Sequence, residues 1–236
     1  TSDSFINKFQ FRKLKYLASI FPTMTIKFTV YRGSKDGIKQ AETEREDLCQ
    51  TLEGAGLIPV GILGSHTHLD HSVNNFWLRK RYGTKVCMSQ REAALSSSRL
   101  MAKGAYFTMS DGMMVDHYGG MVGEVDQVVG AEDGVTEFCG VPFQVIHTPG
   151  HTPGHICTVT PDNVCYTADL MLAGKSIAAA RLPYHYVHSA ARESMRKMQG
   201  RRFDVAIAAH RGLIEDLDAT VEANLALLDG ECRQIS

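Results

Sequence analysis

Val60-Gly61-Ile62-Leu63-Gly64-Ser65-His66-Thr67-His68-Leu69-Asp70-His71 runs from an apolar stretch directly into four potential metal ligands within six residues. The apolar run predicts a strand, and the polar block that follows predicts the loop that the strand delivers. Imidazole nitrogens and a carboxylate oxygen suit a borderline divalent cation such as zinc, which binds them at roughly 2.0–2.2 Å. In extended chain, His66 and His68 are two residues apart and point to the same side, so they can grip one ion. Asp70 and His71 fall where the chain turns into a helix and can face a second ion. Four protein ligands on one ion close a site, whereas two ions sharing them leave positions open for water and substrate.

Other strand ends supply further ligands. Val145-Ile146-His147-Thr148-Pro149-Gly150-His151-Thr152-Pro153-Gly154 is an apolar strand entering a turn whose Pro-Gly pairs hold His151 on a tight loop. Val164-Cys165-Tyr166-Thr167-Ala168-Asp169 ends a short strand on a carboxylate, and Val205-Ala206-Ile207-Ala208-Ala209-His210 ends another on a histidine. Taken one at a time, Asp169 and His210 read as turn residues.

In this order, the His-x-His-x-Asp-His block, the Thr-Pro-Gly-His turn, the strand-terminal Asp and the strand-terminal His resemble the metallo-β-lactamase superfamily of metal-dependent hydrolases, over roughly residues 40–230. The resemblance implies an αββα sandwich of two mixed sheets flanked by helices. It implies one ion held by His66, His68 and His151, a second held by Asp70, His71 and His210, and Asp169 bridging them. Two such ions share a water, lower its pKa toward neutrality and present a hydroxide to a small ester, thioester or lactone, with Asp70 both a ligand and the residue that orients the nucleophile. Zinc is the first expectation; iron and manganese suit the same ligands. Oxygen-reducing di-iron relatives place a Glu at the position of His68, so His68 favours hydrolysis. An iron redox enzyme of the same fold and a metal-binding domain without turnover remain the alternatives. No marker of glutathione recognition stands out.

Composition fits one α/β domain: 236 residues, 44% hydrophobic and 22% charged. Six scattered cysteines form no Cys-x-x-Cys pair and read as buried thiols of a reducing compartment, hence a cytoplasmic expectation. No apolar run reaches membrane-span length, and the net charge of -1 argues against a nucleic-acid surface over the whole molecule. The small-molecule substrate is therefore the expected partner. Residues 1–39 nevertheless carry eight Lys/Arg against two Asp/Glu and lack the Asp-Thr-Gly turn usual in the family, having Phe28-Thr29-Val30-Tyr31-Arg32-Gly33 instead. This basic segment reads as an altered or shortened first sheet, a displaced chain start or an interaction arm, and residues 40–236 as the hydrolase domain. An open strand edge there would serve a homodimer.

Helices are expected at residues 41–54, 73–81, 90–103, 189–199 and 216–228, a strand at 85–88, and strand-rich chain over 135–167. Between 104 and 133, Tyr106, Phe107, Met109, Met113, Met114, Tyr118 and Met121 suit a pocket wall or lid as well as core packing. His117, His147, His155, His185 and His188 are assigned no ligand role. Ala173-Gly174-Lys175-Ser176 lacks the Gly five positions before Gly174 that a phosphate-binding loop requires.

Overall fold

The computed structural model describes residues 37–105, 119–179, 183–210 and 212–235. The N-terminal segment to residue 36 and the Tyr106 to Tyr118 part of the expected wall, with its His117, lie outside the described residues. Helix α1 (Gly37–Gly54) leads to β1 (Gly61–Leu63), which pairs in parallel with β2 (Lys85–Met88); β2 pairs in parallel with the two-residue β3 (Gln127–Val128). The second sheet has six described strands in sequence order: β4 (Gly134–Phe138), β5 (Val141–His147), β6 (Ile156–Val159), β7 (Val164–Ala168), β8 (Val205–Ala208) and β9 (Gly212–Ile214). Among these, β7 and β8 run parallel and the other neighbours antiparallel.

Alternation along β5 explains the layering. Val141, Phe143 and Val145 are buried together with Cys87 of β2, Phe138 and Ile156, forming the core between the sheets, while Pro142 and Gln144 are exposed. Ile146 points the other way, into a cluster with Cys165, Met195, Met198, Val221 and Leu228. That cluster seats α7 (His188–Met198) and α8 (Leu217–Ile235) on the outer face of the large sheet. Leu48 and Leu52 of α1 and Leu78 of α3 (Asn75–Tyr82) pack with Ile62 on the small sheet's outer face. Full burial of each large side chain such as Ile146 or Met195 stabilises this arrangement by about 1.5–3 kcal/mol. The result is the four-layer αββα order.

The helix expected over 73–81 is present as Asn75–Tyr82, and the one expected over 90–103 is divided for a local reason. The chain after the histidine block forms a single turn, α2 (Leu69–Ser72), and restarts as α3 behind Asn74. Residues 90–103 divide into α4 (Gln90–Ser96) and α5 (Arg99–Ala105) at a serine run. There Ser97 Oγ donates to the Ala94 carbonyl at 2.7 Å, and Ser98 Oγ accepts from the Met101 N–H at 3.2 Å, so side chains take over the bonds that would continue one helix and begin the next. Helix α8 runs seven residues beyond the expected end, with Asp216 Oδ1 accepting from the Ala219 N–H at its start. The short α6 (Lys175–Ala179) follows Gly174. Four described cysteines, Cys49, Cys87, Cys157 and Cys165, are buried free thiols, and Cys139 is half-buried. Met121, of the expected wall, is a core residue. No described helix is long and apolar enough to cross a membrane.

Candidate metal centre

The seven residues anticipated as ligands converge at one end of the two sheets. The loop after β1 is tied to both sheets, because Gly64 N–H donates to the Cys87 carbonyl at 2.9 Å and the Ser65 carbonyl accepts from Ile156 N–H at 3.1 Å. That anchoring fixes His66, which is fully buried and meets Ser65 Oγ through Nδ1 at 3.1 Å, leaving Nε2 to face inward. Asp70 and His71 ride on α2. Its first turn is closed by His71 and Ser72 N–H bonds to the His68 carbonyl, and Ser72 Oγ adds bonds to the Thr67 and His68 carbonyls.

His151 sits on the turn between β5 and β6. Its Nδ1 donates to the Tyr184 carbonyl at 3.0 Å, which places the acceptor nitrogen, Nε2, 2.8 Å from His68 Nδ1 and 3.4 Å from Asp169 Oδ2. Asp169 follows a register shift at the end of β7, where Ala168 takes φ 48°, a left-handed conformation uncommon for a side-chain-bearing residue. His210 follows β8, held by the Ala209 N–H bond to the Ala168 carbonyl at 2.9 Å.

Two groups result: His66, His68, His151 and Asp169, and Asp70, His71, Asp169 and His210, with ligand atoms in each group within 4.8 Å of one another. Asp169 belongs to both. Its Oδ2 lies 3.7 Å from His66 Nε2, 3.2 Å from His71 Nε2 and 3.4 Å from His210 Nε2, and Asp70 Oδ2 lies 3.3 Å from His210 Nε2. Yet His66 Nε2, His71 Nε2 and Asp169 Oδ1 are buried without any hydrogen-bond partner. Buried polar atoms left unpaired are costly, and three of them converging from an all-His/Asp donor set fit divalent ions in both groups.

Electrostatics favours the ligand forms of His66, His68, Asp70 and Asp169, whereas His210 is held as the protonated partner of the two carboxylates. Burial pushes His66 well below the ordinary histidine range, and burial together with the neighbouring His151 brings His68 down to about 4, so both are neutral imidazoles near pH 7. Burial alone would raise the Asp169 carboxyl, but the surrounding His151, His210 and His71 outweigh it and hold Asp169 well below the carboxylate range. Asp70 is lowered in the same way, burial being overcome by His210 and His71. The hydrogen bonds to Asp169 and Asp70 lift His210 to about 10.

His155, assigned no role from sequence, is a supporting residue. It is fully buried, and its Nε2 accepts from the Asp169 backbone N–H at 3.3 Å, which puts its proton on Nδ1, 2.8 Å from Thr148 Oγ1. Burial keeps it neutral by pushing its pKa well down. The only hint in sequence was its place beside a Pro-Gly turn. Tyr184 supports through its backbone carbonyl, which leaves no trace in residue identity. His185 packs behind His151 with ring centroids 6.1 Å apart, and burial lowers it to about 4. His147 lies apart, its Nε2 at 2.8 Å from the Gly130 carbonyl.

A family model described as the metallo-beta-lactamase superfamily matches residues 49–210. A hydroxyacylglutathione hydrolase of Rhizobium meliloti (strain 1021) is 29% identical over 131 residues, covering 55% of this chain and 41% of that protein. Another hydroxyacylglutathione hydrolase, from Haemophilus influenzae, is 27% identical over 134 residues, covering 56% of this chain and 58% of its own length. The matches thus span about half the length of these relatives. A metallo-beta-lactamase family protein from Thermus thermophilus superposes with a TM-score of 0.60 at 18% identity, over 87% of this chain and 70% of that one, a likeness of fold.

Proposed function

The chain belongs to the metallo-β-lactamase superfamily, and on that premise we propose that it is a zinc-dependent hydrolase of small thioesters, with two ions held in the paired His/Asp groups. The observation that carries this reading is the sharing of Asp169 by two ligand groups, in each of which an inward histidine nitrogen lacks a hydrogen-bond partner. When bound, divalent ions supply Lewis acidity, polarising a carbonyl oxygen and acidifying water at neutral pH.

The chain's own residues do the positioning. Neutral His66 and His68 offer lone pairs without first losing a proton, and the Tyr184 carbonyl keeps His151 in the tautomer that turns Nε2 inward. Of the two carboxylates, Asp70 is the more exposed, 26% against 10% for Asp169, so Asp70 faces the side from which substrate arrives and orients the attacking water by accepting its hydrogen bond. Attack by the water forms the new C–O bond, collapse breaks the C–S bond and expels the sulfur as thiolate, and the water's protons pass to solvent, leaving the carboxylate. A thiol has an ordinary pKa near 8.5, so a thiolate departs at neutral pH without a dedicated proton donor, and the reaction demands none from this chain.

Thioesters rank first among the carbonyl substrates because the hydroxyacylglutathione of the two relatives' names is one. Esters and lactones follow, and buried free thiols accord with a reducing compartment. The test is a matched panel of a small hydroxyacyl thioester, its oxygen ester and a lactone, with and without a chelator. Thioester cleavage that stops on chelation and returns with zinc is expected; cleavage indifferent to chelation, or none in the zinc-loaded protein, would refute the proposal.

A further inference from the structure

Glu92 is a charged-type side chain with no solvent exposure, lying on α4 outside both ligand groups. Its carboxylate divides its two oxygens between two loops. Oε2 accepts from Thr67 N–H at 2.8 Å and Thr67 Oγ1 at 2.7 Å; Oε1 accepts from Thr152 Oγ1 at 2.6 Å and Gly154 N–H at 2.9 Å. Thr67 stands between His66 and His68, and Thr152 directly follows His151. A single carboxylate therefore fastens together the two chain segments that carry all three histidines of the first group.

The helix beneath it is fixed to the same place. Ser89 caps α4 and donates through Oγ to the Gly154 carbonyl at 2.6 Å, and Arg91 Nη1 donates to the Pro153 carbonyl at 3.0 Å. A Cβ at Gly154 would fall 2.5 Å from Ser89 Oγ and 2.9 Å from Glu92 Cγ, so only glycine admits this approach. Among the described residues, Glu92 makes no direct bond to the second group: Asp70 and His71 are set by the turn of α2, one step removed through its bonds to the Thr67 and His68 carbonyls, and His210 by the β7–β8 pairing through Ala209.

We infer that Glu92 is a positioning residue that sets the affinity of the ion held by His66, His68 and His151 while leaving the ion held by Asp70, His71 and His210 close to unaffected. This rests on the assignment of those side chains as ligands. The supporting bonds are made to the residues adjoining the ligands and not to the ligands themselves, so the effect passes through loop geometry. Losses of such supporting contacts reduce metal affinity roughly 10- to 100-fold.

Zinc affinity, read by competition with a chromophoric chelator, tests this without any substrate. His210→Ala cripples the second group and leaves the first; His151→Ala does the reverse. Adding Glu92→Gln, which retains shape but turns amide hydrogens toward groups that already donate, is expected to weaken zinc binding about 10- to 100-fold in the His210→Ala background and to change it little in the His151→Ala background. Equal losses in both backgrounds, or none in the first, would overturn the inference. Where circular dichroism shows that Glu92→Gln has not folded, Thr152→Val makes the same comparison, with a smaller loss confined to the His210→Ala background expected and an even or absent loss overturning it. Parent protein that binds fewer than two zinc ions would instead overturn the ligand assignment, and the inference with it.

Discussion

Replacing Gly150 by alanine should damage the turn that carries His151 and the helix packed on it together. Gly150 has φ 137°, and a Cβ built there would stand 2.3 Å from Ala191 N, 2.4 Å from Ala191 Cα and 2.7 Å from Ala191 Cβ. Those are chiefly backbone atoms of α7, unable to rotate aside, so the turn and the helix must part by roughly 1 Å to restore ordinary contact. Separation is resisted by the Val187 N–H bond to the Gly150 carbonyl at 3.0 Å and the Ser194 Oγ bond to the Pro149 carbonyl at 2.7 Å. A side chain in this glycine-favouring conformation costs about 1–3 kcal/mol, and overpacking against a fixed backbone adds about 1–3 kcal/mol. Gly150→Ala should therefore lose about 2–6 kcal/mol in urea unfolding of the metal-free protein. Misplacing His151 by a comparable distance should lower thioester turnover by roughly 100-fold in zinc-loaded protein. A stability change under about 0.5 kcal/mol, within the range of an ordinary surface substitution, with turnover retained, would refute the reasoning.

His68→Ala and Asp169→Ala should each abolish hydrolysis and lower bound metal, Asp169→Ala affecting both ions; full activity in a metal-free His68→Ala protein would contradict the mechanism. His155→Leu removes the acceptor for the Asp169 N–H and the partner of Thr148 Oγ1, and should cost about 2–4 kcal/mol by chemical denaturation. Without metal, stability should peak near pH 6.5. His66 and His68 are depressed by burial, the latter to about 4, so below about pH 6.5 the unfolded chain binds more protons and stability falls as pH drops toward 4. His210 has the opposite sign: raised to about 10, it contributes fully below about 6.5 and loses that contribution as pH rises through 10. Urea midpoints at pH 5, 6.5 and 9.5 check this, and a monotonic trend would contradict it.

The convergence of the candidate ligands was legible because its chemistry is local: four side chains of metal-ligating type crowd six positions after an apolar run, and each later candidate closes a strand or a Pro-Gly turn. The apolar strand entering the Pro-Gly turn, observed as β5, and the helix expected over 216–228, observed as the first part of α8, are readable for the same reason. What escaped depends on partners distant in the chain. Glu92 occupies the fourth position of a Ser-x-x-Glu helix start, and Ser89 does cap α4, but the carboxylate reaches Thr67, 25 residues back, and Gly154, 62 residues on. His155 looked idle because what it supports is the backbone of Asp169, 14 residues later. The break at Ser97 and Ser98 escapes apolar periodicity because that pattern passes over polar residues that redirect backbone bonds. The two-residue β3 is too short for any periodicity to show, and it exists through pairing with β2.

Two ions in the shared His/Asp groups are proposed to perform the hydrolysis. Elemental analysis of protein purified without added metal, joined to thioester turnover on the same sample as metal is withdrawn stepwise by chelator, tests it most directly. About two zinc ions per chain and turnover that falls with them are expected. Turnover that persists after both ions are gone, or zinc-replete protein that binds a single ion, would contradict it.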